Sequence, residues 1–195
     1  MKIKDEFDYQ VLNLTDAFFD AYPDPPYNEI ARKKNRPYAC LLIQSHYGYF
    51  IAIPYRSHIN HKYAYRFKKS RRSQRARSGL DYSKVVIITN VDHIGAEDAI
   101  IDQDEYKETR DNIKYIRNDV VRYIDNYVDH LNGTRIVYDE IEFSRVYRFS
   151  TLPYFHKELG IVKLQPRLES DMIKQNSIKE QWNSLCRQSF WHAPH

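Results

Sequence analysis

Tyr38-Ala-Cys-Leu-Leu-Ile43 and Tyr49-Phe-Ile-Ala-Ile53, with a turn around His46 to Gly48 between them, decide the fold class. Two short apolar runs bounded by turn residues read as buried strands, and the brief gap makes them an antiparallel hairpin. Pro54 is expected to stop the second strand, so that the polar segment Tyr55 to Tyr65 emerges at a strand end. A rigid sheet can present reactive side chains there. Further on, Gly79-Leu-Asp-Tyr-Ser83 turns the chain into Lys84-Val-Val-Ile-Ile-Thr89, a third strand rich in β-branched residues. Ala99-Ile-Ile101 reads as a fourth. Upstream, residues 5–20 with Phe7, Val11, Leu14 and Phe18 fit either a short helix or a strand. The prolines of Tyr22-Pro-Asp-Pro-Pro-Tyr27 make a stiff connector after it.

Beyond the strands the period changes. Asp102, with Glu105 three residues on, resembles an N-cap pair. Ile113, Ile116, Val120, Tyr123, Ile124, Tyr127 and Leu131 then recur at helical spacing until Asn132-Gly133. This predicts one helix of close to thirty residues, its apolar stripe laid on a sheet. Ser150 to Gly160, with Pro153 early and Gly at the end, reads as another short helix, and the tail from about Arg167 to Phe190 as helical. Strands first and helices afterwards predict a compact α+β domain spanning residues 1–195, with a C-terminal helical extension from about 161.

Composition agrees with a folded chain. Of 195 residues, 42% are hydrophobic, and 17 Tyr with 9 Phe are too many for a disordered chain. No apolar run approaches a membrane span, and Lys2, Lys4, Asp5 and Glu6 interrupt any signal-like N-terminus. A cytoplasmic protein is expected, and two cysteines, Cys40 and Cys186, fit a reducing compartment. The five glycines, at 48, 79, 95, 133 and 160, never make a phosphate loop, which argues against nucleotide chemistry. His58-x-x-His61 lacks nearby cysteines, and Cys186, His192 and His195 make a weak zinc set. The acids from Asp102 to Glu108 read as a solvated first helical turn.

Charge is segregated along the chain. Residues 30–80 hold 13 Lys and Arg and no Asp or Glu, whereas the rest of the chain carries 17 basic against 26 acidic residues. Such a separation costs self-repulsion that a polyanion relieves, so nucleic acid is the leading partner. Its densest part, Arg66 to Arg77, reads as a polar basic loop at about 66–78.

Within that zone, Ile53-Pro-Tyr-Arg-Ser-His-Ile-Asn-His-Lys-Tyr63 concentrates the chemistry: a hydroxyl, imidazoles, a guanidinium, an amine and phenols. Taken singly, each has a plain explanation as a turn cap, a surface group or an ion-pair partner. Together they match metal-free RNA cleavage, which needs a base for the 2'-hydroxyl, cations for the phosphorane oxygens and a donor for the leaving 5'-oxygen. DNA lacks that 2'-hydroxyl, so the mechanism selects RNA. A non-enzymatic RNA- or DNA-binding regulator is the rival reading, and a metal-dependent nuclease a third, disfavoured because acids avoid the basic zone.

At these residues the chain resembles the ribonuclease toxins of type III toxin-antitoxin systems, the ToxN, AbiQ and TenpN group, and most closely its TenpN-like branch. The resemblance is carried by Lys34-Asn-Arg-Pro-Tyr38, Phe50 to Tyr63, Gly79-Leu-Asp-Tyr-Ser-Lys84 and Ser150-Thr-Leu-Pro-Tyr-Phe-His156. It implies a compact twisted antiparallel β-barrel like those of the MazF and Kid toxins, elaborated by helices. It also implies a metal-independent endoribonuclease that needs no cofactor. The implied partners are a repetitive pseudoknot antitoxin RNA, which the toxin processes and which inhibits it, and cellular or phage RNA. An RNA-protein hetero-oligomer and a part in phage defence go with them. Ser57 matches the family's catalytic serine. Arg56 stands where some relatives have a hydroxyl residue, and Lys62 lies further along than the family's lysine, so His58 or His61 is the expected substitute. The resemblance sets Arg36 facing the RNA. The basic zone adds Lys33, Lys34, Tyr55, Arg66, Lys68, Lys69, Arg71 and Arg72 as expected RNA contacts, the insert from Arg66 to Arg77 being longer than in relatives. Gly79 to Lys84 is read first as shaping the return into the sheet, with Lys84 a phosphate contact as the alternative. The family's tyrosine before the first strand corresponds to Tyr27 or Tyr38.

Overall fold

Thr15 divides the opening segment into a strand and a helix, where the sequence left one or the other. In the computed structural model, β1 (Tyr9–Leu14) precedes it and α1 (Asp16–Ala21) follows. Thr15 caps the helix by accepting the Phe18 N–H at 3.4 Å. The structure describes residues 9–30, 38–45 and 47–161. Phe7, Lys33, Lys34, Arg36, Cys186, His192, His195 and the C-terminal extension lie outside the described residues.

The expected hairpin is the middle of the sheet. β2 (Ala39–Gln44) pairs antiparallel with β3 (Phe50–Arg56), with Leu41 opposite Ile53 and Ile43 opposite Ile51. Cys40 to Ile43 and Ile51 to Pro54 are buried without alternation, as in strands covered on both faces. Pro54 does not end β3, which runs two residues further. The reason lies on its far edge, where β3 pairs first with β6 (Val86–Ile88) through Phe50 to Ala52. It then pairs with β5 (Gly79–Asp81) through Tyr55 and Arg56. Pro54 falls in the gap between these partners, where a missing N–H breaks no ladder bond. β4 (Ala64–Arg66) lies beyond β5, and β7 (Ile94–Asp98) beyond β1.

The sheet order is therefore β4-β5-β3-β2-β1-β7, with β6 against β3, and every pairing is antiparallel. The fold is α+β, as expected. The ends of the order, β4 and β7, are not paired with each other among the described residues, so these strands form no closed barrel. The strand expected at Ala99 to Ile101 falls earlier, at β7. Ala99 is buried and its N–H donates to the Val11 carbonyl at 2.7 Å, whereas Ile100 is fully exposed, so the triplet extends the β7 edge by one bond and forms no strand of its own.

The long helix expected from Asp102 is two helices. Asp102 does cap the first, accepting the N–H groups of Asp104 at 2.9 Å and Glu105 at 3.2 Å. α3 (Gln103–Asp111) then breaks at Asn112, whose side chain donates to the Glu108 carbonyl at 2.8 Å and competes with the main-chain ladder. The second, α4 (Ile113–Asn132), buries Ile116, Val120, Tyr123, Ile124 and Tyr127 and ends on Gly133 in the left-handed conformation, φ 68°. A helix the sequence reading missed, α5 (Glu140–Tyr147), packs on it, with the Tyr147 hydroxyl donating to the Tyr123 carbonyl at 2.9 Å. Only Leu152–Phe155 of the expected 150–160 helix forms a helical turn, of the tighter 3₁₀ kind. No helix among the described residues is long and apolar enough to cross a membrane.

The basic run is not a loose loop. It contains α2 (Arg71–Ala76), capped by Ser70 accepting the Ser73 N–H at 2.8 Å. The acids expected to be solvated hold it down. Glu105 and Glu108 are buried, at 0% and 3% exposure, beneath that segment.

Candidate active site

β3 ends in a turn whose main chain is fastened to α2. Ser57 follows Arg56 directly and is half-buried, whereas His58 is exposed and adopts φ 62°, in the left-handed region. Its N–H donates to the Ala76 carbonyl at 2.6 Å, and the Ile59 N–H to the Arg77 carbonyl at 3.3 Å. Two arginines bind the same turn. Arg77 donates to the Asn60 side chain at 2.6 Å, and Arg66 to the His61 carbonyl at 2.7 Å. Ile59 of the turn is buried.

Behind this turn lies a carboxylate the sequence reading did not single out. Asp81, only 3% exposed, ends β5 and faces two expected site residues. One oxygen lies 3.4 Å from Arg56 Nη1, and the other 3.3 Å from His61 Nε2. That second oxygen also accepts the Ser83 N–H at 3.0 Å and the Ser83 hydroxyl at 2.6 Å. Burial pushes the Asp81 carboxyl up, but hydrogen bonds from His61 and Ser83 and the charges of His61 and Arg56 outweigh it, so it is held below the usual carboxylate range. The Ser83 hydroxyl stands 3.4 Å from His61 Nε2, and the imidazole is stacked on Tyr63 at 6.2 Å between centroids.

Arg56 and His61 side chains remain 37% and 36% exposed, so both reach the surface over a buried anion. Lys62 is exposed, with its amine 5.5 Å from the centre of the Tyr63 ring. The Ser57 hydroxyl has no hydrogen-bond partner among the described residues. Between the two candidate tyrosines, Tyr38 is the one electrostatically linked to this cluster. Burial, with Cys40 and Asp81, pushes its phenol up, while Arg56 opposes them. Tyr27 packs instead on Tyr22 and Tyr154, at 5.0 and 5.1 Å.

The expected RNA contacts divide into three groups. Arg66, Lys68, Lys69 and Arg71 have exposed side chains around the turn and α2. Arg72 is paired with Glu105 at 3.0 Å, which neutralises it. Tyr55 and Lys84 face inward: Tyr55 shares a hydrogen bond with Thr109 at 3.1 Å and stacks on Phe67 at 5.8 Å. Lys84 is 8% exposed, donates to the Phe149 carbonyl at 2.5 Å and is ion-paired with Glu29. A lysine enclosed in this way ties the sheet to the segment after α5. The sequence did carry one unused signal for Asp81: it is the first acid after fifty-one residues without one.

Among the described residues, no group of three His, Cys, Asp or Glu stands where it could hold a metal ion. No family model, curated protein or solved structure matches the chain.

Proposed function

We propose that the chain is a metal-independent endoribonuclease that uses the substrate's own 2'-hydroxyl as nucleophile, and that it acts as the toxin of a type III toxin-antitoxin pair. The observation that carries the reading is the half-exposed turn at the end of β3, where Arg56, Ser57, His58, His61 and Lys62 stand beside exposed cations of the basic segment.

An imidazole of this turn, His58 or His61, takes the 2'-hydroxyl proton as the 2'-oxygen bonds to phosphorus. Arg56 and Lys62 meet the charge on the phosphorane oxygens, and Ser57 positions the phosphate. The bond from phosphorus to the 5'-oxygen then breaks and that oxygen takes the proton back from the imidazolium, leaving a 2',3'-cyclic phosphate, a 5'-hydroxyl and the neutral imidazole. Arg66, Lys68, Lys69 and Arg71 hold the flanking backbone of cellular or phage RNA, and of the repetitive pseudoknot antitoxin that the enzyme processes and that inhibits it. The same reading takes the sheet as a relative of the MazF and Kid barrels that is open between β4 and β7.

The test is to express the wild type and Ser57→Ala without antitoxin RNA. Growth arrest and RNA scission are expected from the wild type alone, with cleavage surviving EDTA. Equal toxicity and equal cleavage from both proteins defeat the site. Tight, salt-sensitive RNA binding without scission supports the regulator instead.

A further inference from the structure

We infer that His58 is the imidazole that moves protons in this reaction, and that His61 is a positioning residue committed to Asp81; the inference rests on the ribonuclease reading above. Both histidines lie on one turn, and their ring nitrogens have different surroundings.

Asp81, held ionised, is an acceptor only. The His61 nitrogen facing it at 3.3 Å, Nε2, therefore carries a hydrogen. Ser83 leads to the same assignment, because its own hydroxyl hydrogen goes to Asp81 at 2.6 Å, which leaves its oxygen to accept from Nε2. Neutral His61 thus has one atom able to take a proton, Nδ1, and that atom is buried with no hydrogen-bond partner among the described residues. A proton placed there becomes an unpaired buried donor, and a substrate hydroxyl has no path to it. What His61 does offer is a donor that, with Arg56, keeps the Asp81 charge compensated beneath the turn.

His58 has the opposite surroundings. It is adjacent to Ser57 and exposed, and its ring has no hydrogen-bond partner among the described residues. Its φ of 62° lies in the left-handed region, which few side chains adopt and which histidine, like asparagine, enters more readily than most. Amide bonds from His58 and Ile59 to the end of α2 maintain that conformation.

The experiment compares His58→Gly and His61→Gly in the full chain, each assayed for RNA cleavage with and without added imidazole. Glycine suits the backbone at 58, so His58→Gly should fold, lose about 10²-fold or more in rate, and recover part of it with imidazole. His61→Gly should not be rescued, whereas His61→Gln, whose amide can still donate to Asp81, should recover most of what His61→Gly loses. Rescue at 61 with little loss at 58 overturns the assignment. Nitrogen-15 spectra of the wild-type histidines give a readout apart from activity: neutral His61 should carry its hydrogen on Nε2, and a neutral Nδ1–H form overturns its commitment to Asp81. A wild type that cleaves no RNA sinks the ribonuclease reading itself, whereas a cleaving wild type rescued at 61 sinks only this inference.

Discussion

Glu108 accepts the backbone N–H of Lys68 with both carboxylate oxygens, each at 3.1 Å. The Lys69 N–H and the Tyr65 hydroxyl complete the set, at 3.1 and 3.3 Å. One turn earlier on α3, Glu105 accepts the hydroxyls of Ser70 and Ser78 and pairs with Arg72. Charges that lie far apart along the chain thus meet in space, and the acidic helix forms the bed of the basic segment.

Removing either acid should therefore loosen the basic segment. Glu105→Gln leaves Arg72 without its anion, and Glu108→Gln weakens its hold on two amides. Each should cost about 2–4 kcal/mol, read as a lower urea midpoint with an unchanged slope. Wild-type midpoints for both variants contradict this account.

The depressed Asp81 carboxyl makes stability depend on pH in a definite direction. A carboxyl lowered in the folded state contributes stability that is fully present above its unfolded value of about 3.9. That contribution is lost as pH falls through the lower, folded value. Asp81→Asn should accordingly reduce stability at neutral pH and flatten the acid-side slope of urea midpoint against pH. An unaltered slope places the acid sensitivity elsewhere.

Gly79 sits between β3 and β4, opposite both Arg56 and Arg66. A Cβ there lands within contact distance of the Tyr65 carbonyl oxygen and 3.1 Å from the Arg66 Cα. The obstruction is backbone, which cannot swing away, so Gly79→Ala should push β4 from β5 and cost about 1–3 kcal/mol. Because the site turn hangs from the same strands, cleavage should fall with stability; a folded, fully active variant contradicts the packing argument.

Exposed and paired cations should part company in an RNA titration. Arg71→Ala should weaken binding and lower the salt slope by about 0.7 for a lost single-strand phosphate contact. Lys84→Met, which leaves Glu29 without its ion-pair partner, should leave the salt slope alone and cost about 1.5–3 kcal/mol of stability. A salt slope lowered by Lys84→Met puts that residue back on the RNA surface.

The hairpin was legible in the sequence because both strands are buried on both faces, and uninterrupted apolar runs such as Ile51 to Ile53 advertise that. The turn bearing Ser57 to Lys62 followed from it. β7 was not legible, since Ile94-Gly-Ala-Glu-Asp98 is a largely exposed edge strand without an apolar pattern. The break at Asn112 was hidden by side-chain capping inside an otherwise helical stretch. Asp81 was missed for another reason: its meaning lies in contacts with Arg56 and His61, twenty and more residues earlier, which the β3–β5 register and the fold of the intervening turn bring to it. Pro54 misled because a proline's effect depends on which edge of the strand is paired.

The amide bonds from His58 and Ile59 to Ala76 and Arg77 bear on how such a protein can diversify. They use main-chain carbonyls, which every residue supplies alike, so outward side chains on α2 such as Arg71, Gln74 and Arg75 can be exchanged without shifting the turn. The surface of this segment can then change by replacement alone, but lengthening or shortening α2 by one residue would rotate its last carbonyls away from the turn.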